Sequence, residues 1–177
     1  MRRVLSKPLF LSLCLLPALA SAVDIQPGLW EISSNNMQVG GRAVPGMEQM
    51  LEQMKNLPPE QRQMMEQMMA QQGVQLGDKG VRICMSEAQI KAQQIPMQDP
   101  ESGCSNEVIE RSAELWKFRF SCPKGQGQGQ GQGEGETRFV SDKEFTSTVN
   151  GTFDGQSSSM QSHARWVAAD CGTLQPQ

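Results

Sequence analysis

The feature that most constrains the fold is a regular alternation of apolar and polar side chains over residues 115–122, which read LWKFRFSC. Successive side chains of a β-strand point to opposite faces of a sheet, so a period of two separates apolar residues from polar ones. A strand with one apolar and one polar face is typical of an antiparallel sheet that buries a single side. The apolar set is Trp116, Phe118, Phe120 and Cys122, and the polar set is Lys117, Arg119 and Ser121.

Other segments with strand character lie on both sides of this one. They combine apolar alternation with flanking Gly, Asn, Asp or Ser residues that favour turns. They are residues 25–39, 81–84, 104–110, 137–140, 145–153 and 160–168. We therefore predict a mainly β, α+β fold: an antiparallel meander of six or seven strands that forms a curved sheet or a partial barrel.

A helical hairpin is predicted to interrupt the strands at residues 45–73. This segment is rich in Met, Gln and Glu, which favour helices, and Pro58 and Pro59 divide it into two. Each half carries a stripe of apolar residues at helical spacing, which we interpret as a packing face because methionine fills irregular gaps. The stripes are Met47, Met50, Leu51 and Met54 in the first half, and Met64, Met65, Met68 and Met69 in the second. A shorter helix is predicted at residues 86–90, with Ser86 as its N-cap.

A low-complexity tract, GQGQGQGQGEG, occupies residues 125–135. It has no apolar side chain to bury, and its glycines lose much backbone entropy on folding. We predict that residues 124–135 form a flexible Gly-Gln loop between two strands. The entropy of loop closure rises only slowly with length, so a sheet tolerates such a connection.

The first 22 residues have the composition of a secretory signal peptide. Three basic residues precede an apolar run over residues 9–20, and the Ala-Ser-Ala sequence of residues 20–22 suits cleavage. The run is too short to span a bilayer as a stable helix, so we expect no stable membrane insertion after cleavage. We therefore expect a periplasmic protein with a single β-rich domain over residues 23–177.

Four cysteines remain after the signal peptide, an even number that suits two disulfides in an oxidising compartment. They are Cys84, Cys104, Cys122 and Cys171. Three pairings are open from the sequence. We favour Cys84 with Cys104, which closes a short helical excursion, and Cys122 with Cys171, which ties a strand end to the C-terminus. A zinc site is disfavoured, because no pair has C-x-x-C spacing.

The charge of the mature chain argues against nucleic acid as a partner. Residues 23–177 hold 13 Lys and Arg against 19 Asp and Glu, a net charge of −6. An acidic surface without a local basic patch attracts neither nucleic acid nor an anionic membrane surface. We expect an apolar small molecule or another envelope protein as the partner instead.

Groups suited to catalysis are scarce. With the cysteines oxidised, the chain offers one histidine and no tyrosine as a base or nucleophile. His163 falls in a predicted strand on the face opposite Trp166 and is expected to face solvent. Glu107, Glu110 and Glu114 offer carboxylates, but their spacing selects no pair for glycosidase-type chemistry. We expect a protein that is not an enzyme and that needs no cofactor.

Four segments resemble a family of bacterial exported proteins, domain of unknown function 3617. They are PGLWE at residues 27–31, LPPEQR at residues 57–62, CMS at residues 84–86, and the ending from Arg165 to Cys171. The match spans nearly the whole mature chain, although the family usually has Leu-Thr after the first cysteine, where this chain has Met-Ser. The resemblance implies a small periplasmic β-rich protein and brings no activity or catalytic residue with it.

Three functions from different classes fit these patterns. The first is a protein that binds an apolar ligand between the sheet and the helical hairpin, with an aromatic lining of Trp30, Trp116, Phe118, Phe120 and Trp166. The second is a copper-handling protein, because thioethers are soft ligands for Cu(I). Its candidate ligands are Met64, Met65, Met68 and Met69. The third is a scaffold that binds another envelope protein through a sheet edge or the helices.

Overall fold

The structure is a computed structural model that describes residues 25–92, 103–123 and 130–176. Within these ranges the chain forms nine strands and three helices. The strands are β1 (Gly28–Val39), β2 (Arg42–Ala43), β3 (Val74–Leu76), β4 (Val81–Met85), β5 (Ser105–Arg111), β6 (Leu115–Cys122), β7 (Gly131–Ser141), β8 (Glu144–Phe153) and β9 (Gln156–Ala168). The helices are α1 (Met47–Lys55), α2 (Pro59–Gln71) and α3 (Glu87–Ala92).

All nine strands join one antiparallel sheet. The order is β3-β4-β1-β9-β8-β7-β6-β5, and β2 pairs with β1 beside this path. Strands β5 to β9 form a meander in which each strand returns along its predecessor. Strand β1 pairs with both β9 and β4, so it joins the meander to the β3–β4 hairpin. The predicted mainly β, antiparallel fold is confirmed, and the sheet is open, with β3 and β5 at its edges.

The sheet has two faces of opposite character. Directly opposed residues of an antiparallel pair lie on the same face. Between β1 and β6, Trp30 opposes Trp166, Ala164 opposes Phe145, and Thr137 opposes Trp116. We call this side the apolar face; it carries Trp30, Ile32, Ile83, Trp116, Phe118, Phe120, Phe139, Phe145, Ala164 and Trp166. The opposite side, with Lys117, Arg119 and His163, is the polar face.

The best packed part of the core lies on the apolar face where β4, β1 and β9 meet. Trp30, Ile83, Met85 and Ala164 are buried there, and Ile90 of α3 packs against them. The indole N–H of Trp30 donates a hydrogen bond of 2.9 Å to the carbonyl of Gln26, so burial leaves this donor satisfied. This cluster fixes one half of the sheet.

On the polar face, a buried carboxylate ties β1 to its neighbours. Glu31 is 5% exposed, and its Oε2 accepts hydrogen bonds from the backbone N–H of Asp78 at 3.1 Å and from Nε of Arg82 at 3.2 Å. Burial by itself would raise the pKa of Glu31, but the hydrogen bonds and the charges of Arg82 and Arg165 outweigh it, so the pKa lies below its ordinary value. Glu31 is therefore ionised at neutral pH.

The two disulfides pair the cysteines differently from the favoured prediction. Cys84 bonds Cys171 and Cys104 bonds Cys122, so the presence of two disulfides is confirmed and the pairing is wrong. The β5–β6 hairpin brings the Cα atoms of Cys104 and Cys122 to 4.1 Å. The chain leaves β9 beside β1, which pairs with β4, and there meets Cys84. The pairing follows from strand order, which spacing along the chain does not reveal.

The Gly-Gln tract is partly a strand. Strand β7 begins at Gly131, so residues 131–135 are not the flexible loop that was predicted. Residues 124–129 of that prediction lie outside the described residues. Glycine at every second position has the period of a strand and places Gly131, Gly133 and Gly135 on one face, which is the physical reason for the difference.

The helical hairpin forms, but its methionine stripe is not a packing face throughout. Helix α1 contacts β1 and helix α2 contacts β3, and Leu51 of α1 is buried as expected. Met50 of α1 and Met64 and Met68 of α2 are exposed, so their assignment to a packing face is wrong. The hairpin contacts one end of the sheet, and this position leaves part of the stripe open.

The short helix α3 begins as predicted. Ser86 Oγ accepts a hydrogen bond of 3.2 Å from the backbone N–H of Gln89, whose side chain in turn accepts one from the Ser86 N–H at 2.8 Å. This reciprocal pair is a capping box. Within the described parts of the chain, no helix has the length and apolar character needed to cross a membrane.

Candidate functional site

Four aromatic rings line the apolar face between β6 and β8. We call them the aromatic strip: Trp116, Phe118, Phe120 and Phe153. The rings of Trp116 and Phe118 are 5.9 Å apart, and those of Phe120 and Phe153 are 5.8 Å apart and stacked. Phe118 and Phe120 are buried, whereas Phe153 is 42% exposed. The strip therefore has a buried centre and an open rim.

Three glycines of β7 lie beneath the rings of the strip. In the sheet register, Gly135 opposes Phe118, Gly133 opposes Phe120, and Gly131 opposes Phe153. A Cβ added at Gly133 would lie 2.7 Å from Cζ of Phe120, one at Gly131 would lie 2.5 Å from Cδ1 of Phe153, and one at Gly135 would overlap the ring of Phe118. We call Gly131, Gly133 and Gly135 the glycine floor. Because the floor has no side chains, the rings lie across β7.

Arg111 stands at the end of the strip and was not identified from the sequence. It opposes Trp116 in the sheet register, and its guanidinium carbon is 5.4 Å from the Trp116 ring centroid. Nε of Arg111 and the indole nitrogen Nε1 of Trp116 are both buried, and neither has a hydrogen-bond partner among the described residues. Burial lowers the pKa of Arg111 from its ordinary value. Two buried donors thus face the same end of the strip without an acceptor.

A β-bulge in the edge strand puts Arg111 on the apolar face. The register of β5 with β6 shifts between Val108 and Glu110. Val108 opposes Phe118 on the apolar face, and without the shift Glu110 would share that face and Arg111 would lie on the polar one. The alternation rule therefore assigns Arg111 to the wrong side, and the sequence carries no signal of the bulge.

Arg111 is the only charged residue on the apolar face in the eight strands of the main sheet path, all of which are described. The other charged residues of these strands lie on the polar face, where all but Glu144 form ion pairs and Glu144 forms a hydrogen bond with His163 at 2.8 Å. The ion pairs are Arg119 with Glu134 at 2.9 Å and with Glu107 at 3.3 Å, Lys117 with Glu110 at 2.8 Å, Arg138 with Glu136 at 2.6 Å, and Arg82 and Arg165 with Glu31 at 3.2 and 3.8 Å. Within these eight strands, Arg111 is thus the one charged side chain with neither an ion-pair nor a hydrogen-bond partner. Two further cations reach the apolar face away from the strip: Arg42 of β2, which opposes Val39, and Lys143 of the β7–β8 turn, whose Nζ lies 4.7 Å from the Trp166 ring centroid.

The five residues predicted to line a ligand site share the apolar face but fall into two groups. Trp30 and Trp166 oppose each other in the core cluster, and Trp166 donates its indole N–H to the carbonyl of Pro27 at 3.1 Å. Trp116, Phe118 and Phe120 lie on β6, and β9, β8 and β7 separate them from β1. The first pair serves packing, and the second group forms the aromatic strip.

The other residues considered from the sequence lie away from the strip. Met64, Met65, Met68 and Met69 lie on α2, where Met64 and Met68 are exposed. His163 lies on the polar face, on the other side of the sheet from Trp166 as predicted, and forms a hydrogen bond with Glu144. A shallow polar recess of about 250 Å³, lined in part by Gln38, Asn150 and Ser159, lies at the far end of β1, β8 and β9 and holds no charged group.

Comparisons with known proteins support a family assignment. Residues 25–171 match the model of a family described as protein of unknown function, DUF3617. A relative from Pseudomonas putida, described as an uncharacterized protein in the lpd-3 5'region, is 49% identical over 138 residues, which cover 78% of this chain and 93% of the relative. No solved structure matches the chain significantly. The chain therefore belongs to the DUF3617 family of proteins of unknown function.

Proposed function

We propose that this protein is a non-enzymatic periplasmic protein that binds an apolar small molecule against the aromatic strip. The observation that carries the proposal is the open rim around the buried centre of the strip. Val108 is 49% exposed and opposes Phe118, and Phe153 is 42% exposed and stacks on Phe120. Contiguous exposed apolar groups on one face mark binding surfaces in soluble proteins.

The glycine floor supports a ligand of elongated shape. Phe118 and Phe120 lie over Gly135 and Gly133 of β7, so the two rings form a row along the strand direction. A row of apolar groups suits an elongated ligand such as an alkyl chain or a planar ring system, which gains dispersion contacts over its whole length. The ligand class is therefore an apolar or amphiphilic small molecule.

The helical hairpin does not cover the aromatic strip, so the proposed site is formed by the sheet and not by the sheet and the hairpin together. Helices α1 and α2 contact β1 and β3, and β9, β8 and β7 separate β1 from β6. In this proposal the ligand contacts the strip, and the hairpin stabilises the opposite end of the sheet.

Two observations support export to the periplasm. The disulfides Cys84–Cys171 and Cys104–Cys122 form most readily in an oxidising compartment, and residues 1–22 have the composition of a signal peptide. Intact mass spectrometry of the protein recovered from a bacterial periplasm tests this part. We expect a mass that lacks residues 1–22 and is four hydrogens below the thiol form. An unprocessed or fully reduced chain would contradict it.

A fluorescence titration with N-phenyl-1-naphthylamine, a neutral apolar probe, tests the binding site. The informative variant is Val108→Asn on the rim, and its matched control is Val140→Asn. Val140 is also an exposed valine, at 65%, but it lies at the register shift between Phe139 and Ser141 near the end of β7, away from Gly135, which shares a row with Phe118 and Val108. We expect the rim variant to weaken probe binding about fivefold or more, since a polar side chain replaces an apolar contact.

Equal binding by the two variants would contradict the proposed site, and no binding by the unmodified protein would contradict the proposed function. Thermal unfolding of both variants is the control for folding. Both positions are exposed, so each substitution should leave the midpoint nearly unchanged.

A copper-handling role remains the second candidate because Met64 and Met68 are exposed one helical turn apart. Two thioethers at this spacing can approach a single soft ion. Titration with Cu(I) against a competing chelator tests this role. The double variant Met64→Leu and Met68→Leu should lose Cu(I) and keep binding of the apolar probe, and retention of Cu(I) would exclude these ligands.

A further inference from the structure

We propose that Arg111 and Trp116 bind the carboxylate headgroup of a long-chain fatty acid whose alkyl chain lies along the aromatic strip. This inference rests on the proposed function and names its substrate class. Its first support is the position of the Arg111 guanidinium. In the eight strands of the main sheet path, Arg111 alone among charged residues lies on the apolar face.

The two buried nitrogen atoms without hydrogen-bond partners indicate which chemical group of a ligand would bind here. Nε of Arg111 and Nε1 of Trp116 are donors only, and both are buried without an acceptor in the part of the chain that the structure describes. Burying donors without partners is unfavourable, and a cation without a counter-charge is more so. The complementary group is an anionic acceptor, and a planar carboxylate matches the guanidinium fork.

The bulge in the edge strand β5 explains why Arg111 lies beside Trp116 on the apolar face. Regular pairing would put Glu110 on the apolar face, where its carboxylate would repel an anionic ligand. The register shift between Val108 and Glu110 exchanges it for Arg111. Bulges that re-aim a side chain are frequent next to functional sites. Glu110 instead pairs with Lys117 on the polar face, so it does not neutralise Arg111.

The dimensions of the strip select the chain length. From Trp116 to Phe120 the strand advances about 13 Å at about 3.3 Å per residue, which matches an extended chain of roughly ten carbons. Phe118 and Phe120 lie along this line, and Phe153 continues it. The net acidity of the protein is no obstacle, because the charges of the polar face are paired among themselves and are on the other side of the sheet.

Calorimetric titration of the full protein with dodecanoate and with 1-dodecanol separates headgroup from chain. The informative variant is Arg111→Gln, and its matched control is Arg119→Gln, which removes an arginine of the neighbouring strand β6 from the polar face. We expect the unmodified protein to bind dodecanoate about tenfold or more tighter than dodecanol, since the headgroup adds charge-assisted hydrogen bonds. Arg111→Gln should abolish that preference, and Arg119→Gln should keep it.

The other outcomes of this titration each overturn the headgroup site, the proposed apolar function or both. Equal binding of acid and alcohol by the unmodified protein overturns the headgroup site and leaves the apolar function standing. Binding of neither overturns both. An equal loss in Arg111→Gln and Arg119→Gln shows attraction by overall charge and overturns the site.

A second variant guards against misfolding of Arg111→Gln. Trp116→Phe keeps an aromatic ring beside Arg111 and removes only the indole donor. It should weaken dodecanoate binding about threefold to tenfold and leave dodecanol binding unchanged. An unchanged dodecanoate affinity would remove Trp116 from the site.

Discussion

Replacing Gly135 with alanine adds one methyl group directly beneath the ring of Phe118. In an ordinary strand interior, alanine is more favourable than glycine by about 0.5–1 kcal/mol. Here the new Cβ would overlap a buried ring that lies across β7. Overpacking of this kind costs about 1–3 kcal/mol. The new Cβ would strike three atoms of the ring, so the upper part of this range, about 2–3 kcal/mol, applies. After subtraction of a gain of about 1 kcal/mol, we expect a net loss of about 1–2 kcal/mol, opposite in sign to the usual substitution.

Thermal unfolding followed by circular dichroism, with the disulfides intact, measures this loss. For a domain of this size, each kcal/mol lowers the midpoint by about 2–4 °C, so Gly135→Ala should unfold about 2–8 °C lower. The control is Gln132→Ala in the same strand, because Gln132 is exposed on the polar face. That variant should unfold within about 1–2 °C of the unmodified protein.

A second substitution tests whether contact with the Phe118 ring causes the loss of stability in Gly135→Ala. Phe118→Leu destabilises the protein by itself, but in the Gly135→Ala background it removes the ring that the new methyl group would strike. The double variant should therefore lose less stability than the sum of the two single losses. A Gly135→Ala protein as stable as the unmodified one, or strictly additive losses, would refute the packing of the ring on the glycine floor.

Two further predictions concern the other half of the sheet. Because the pKa of Glu31 is lowered in the folded state, its stabilising contribution should be complete above an ordinary carboxyl pKa of about 4.3 and disappear as pH falls through the folded pKa. Glu31→Gln should thus lose about 1–3 kcal/mol at pH 7, and denaturant unfolding should show this difference shrinking below about pH 4; a constant difference would exclude the linkage. Peptide mapping without reduction should recover Cys84 linked to Cys171, a pair separated by 87 residues. Removal of that disulfide should cost about 4–5 kcal/mol, more than the roughly 3 kcal/mol for the shorter Cys104–Cys122 loop, and the opposite order in denaturant titrations would contradict the loop-closure argument.

Local signals predicted the local structure well. The alternation in β6 depends only on the period of a strand, and Pro58 and Pro59 end one helix and start the next through their own backbone geometry. Ser86 caps α3 through a bond that spans three residues. In each case the interacting groups are neighbours along the chain, so the sequence contains the whole interaction.

The aromatic strip was predicted only in part, because its second layer comes from another strand. Trp116, Phe118 and Phe120 share a face by periodicity alone. The glycine floor becomes part of the site only when β7 pairs with β6 in one register, which puts Gly135 under Phe118 and Gly133 under Phe120. The period of two in the Gly-Gln tract was a visible signal for this strand, but low complexity favoured a loop.

The sequence by itself determined the period of strands such as β6 and β9, the break between the helices and the number of cysteines available for disulfides, since each depends on residues close together in the chain. Only the tertiary structure decided the disulfide partners and the side of the sheet that Arg111 faces. Both depend on contacts between distant segments, where the order of strands and a single bulge change which side chains meet. A one-residue shift in register moves a side chain to the opposite face, and this shift places an unpaired charge beside the aromatic strip.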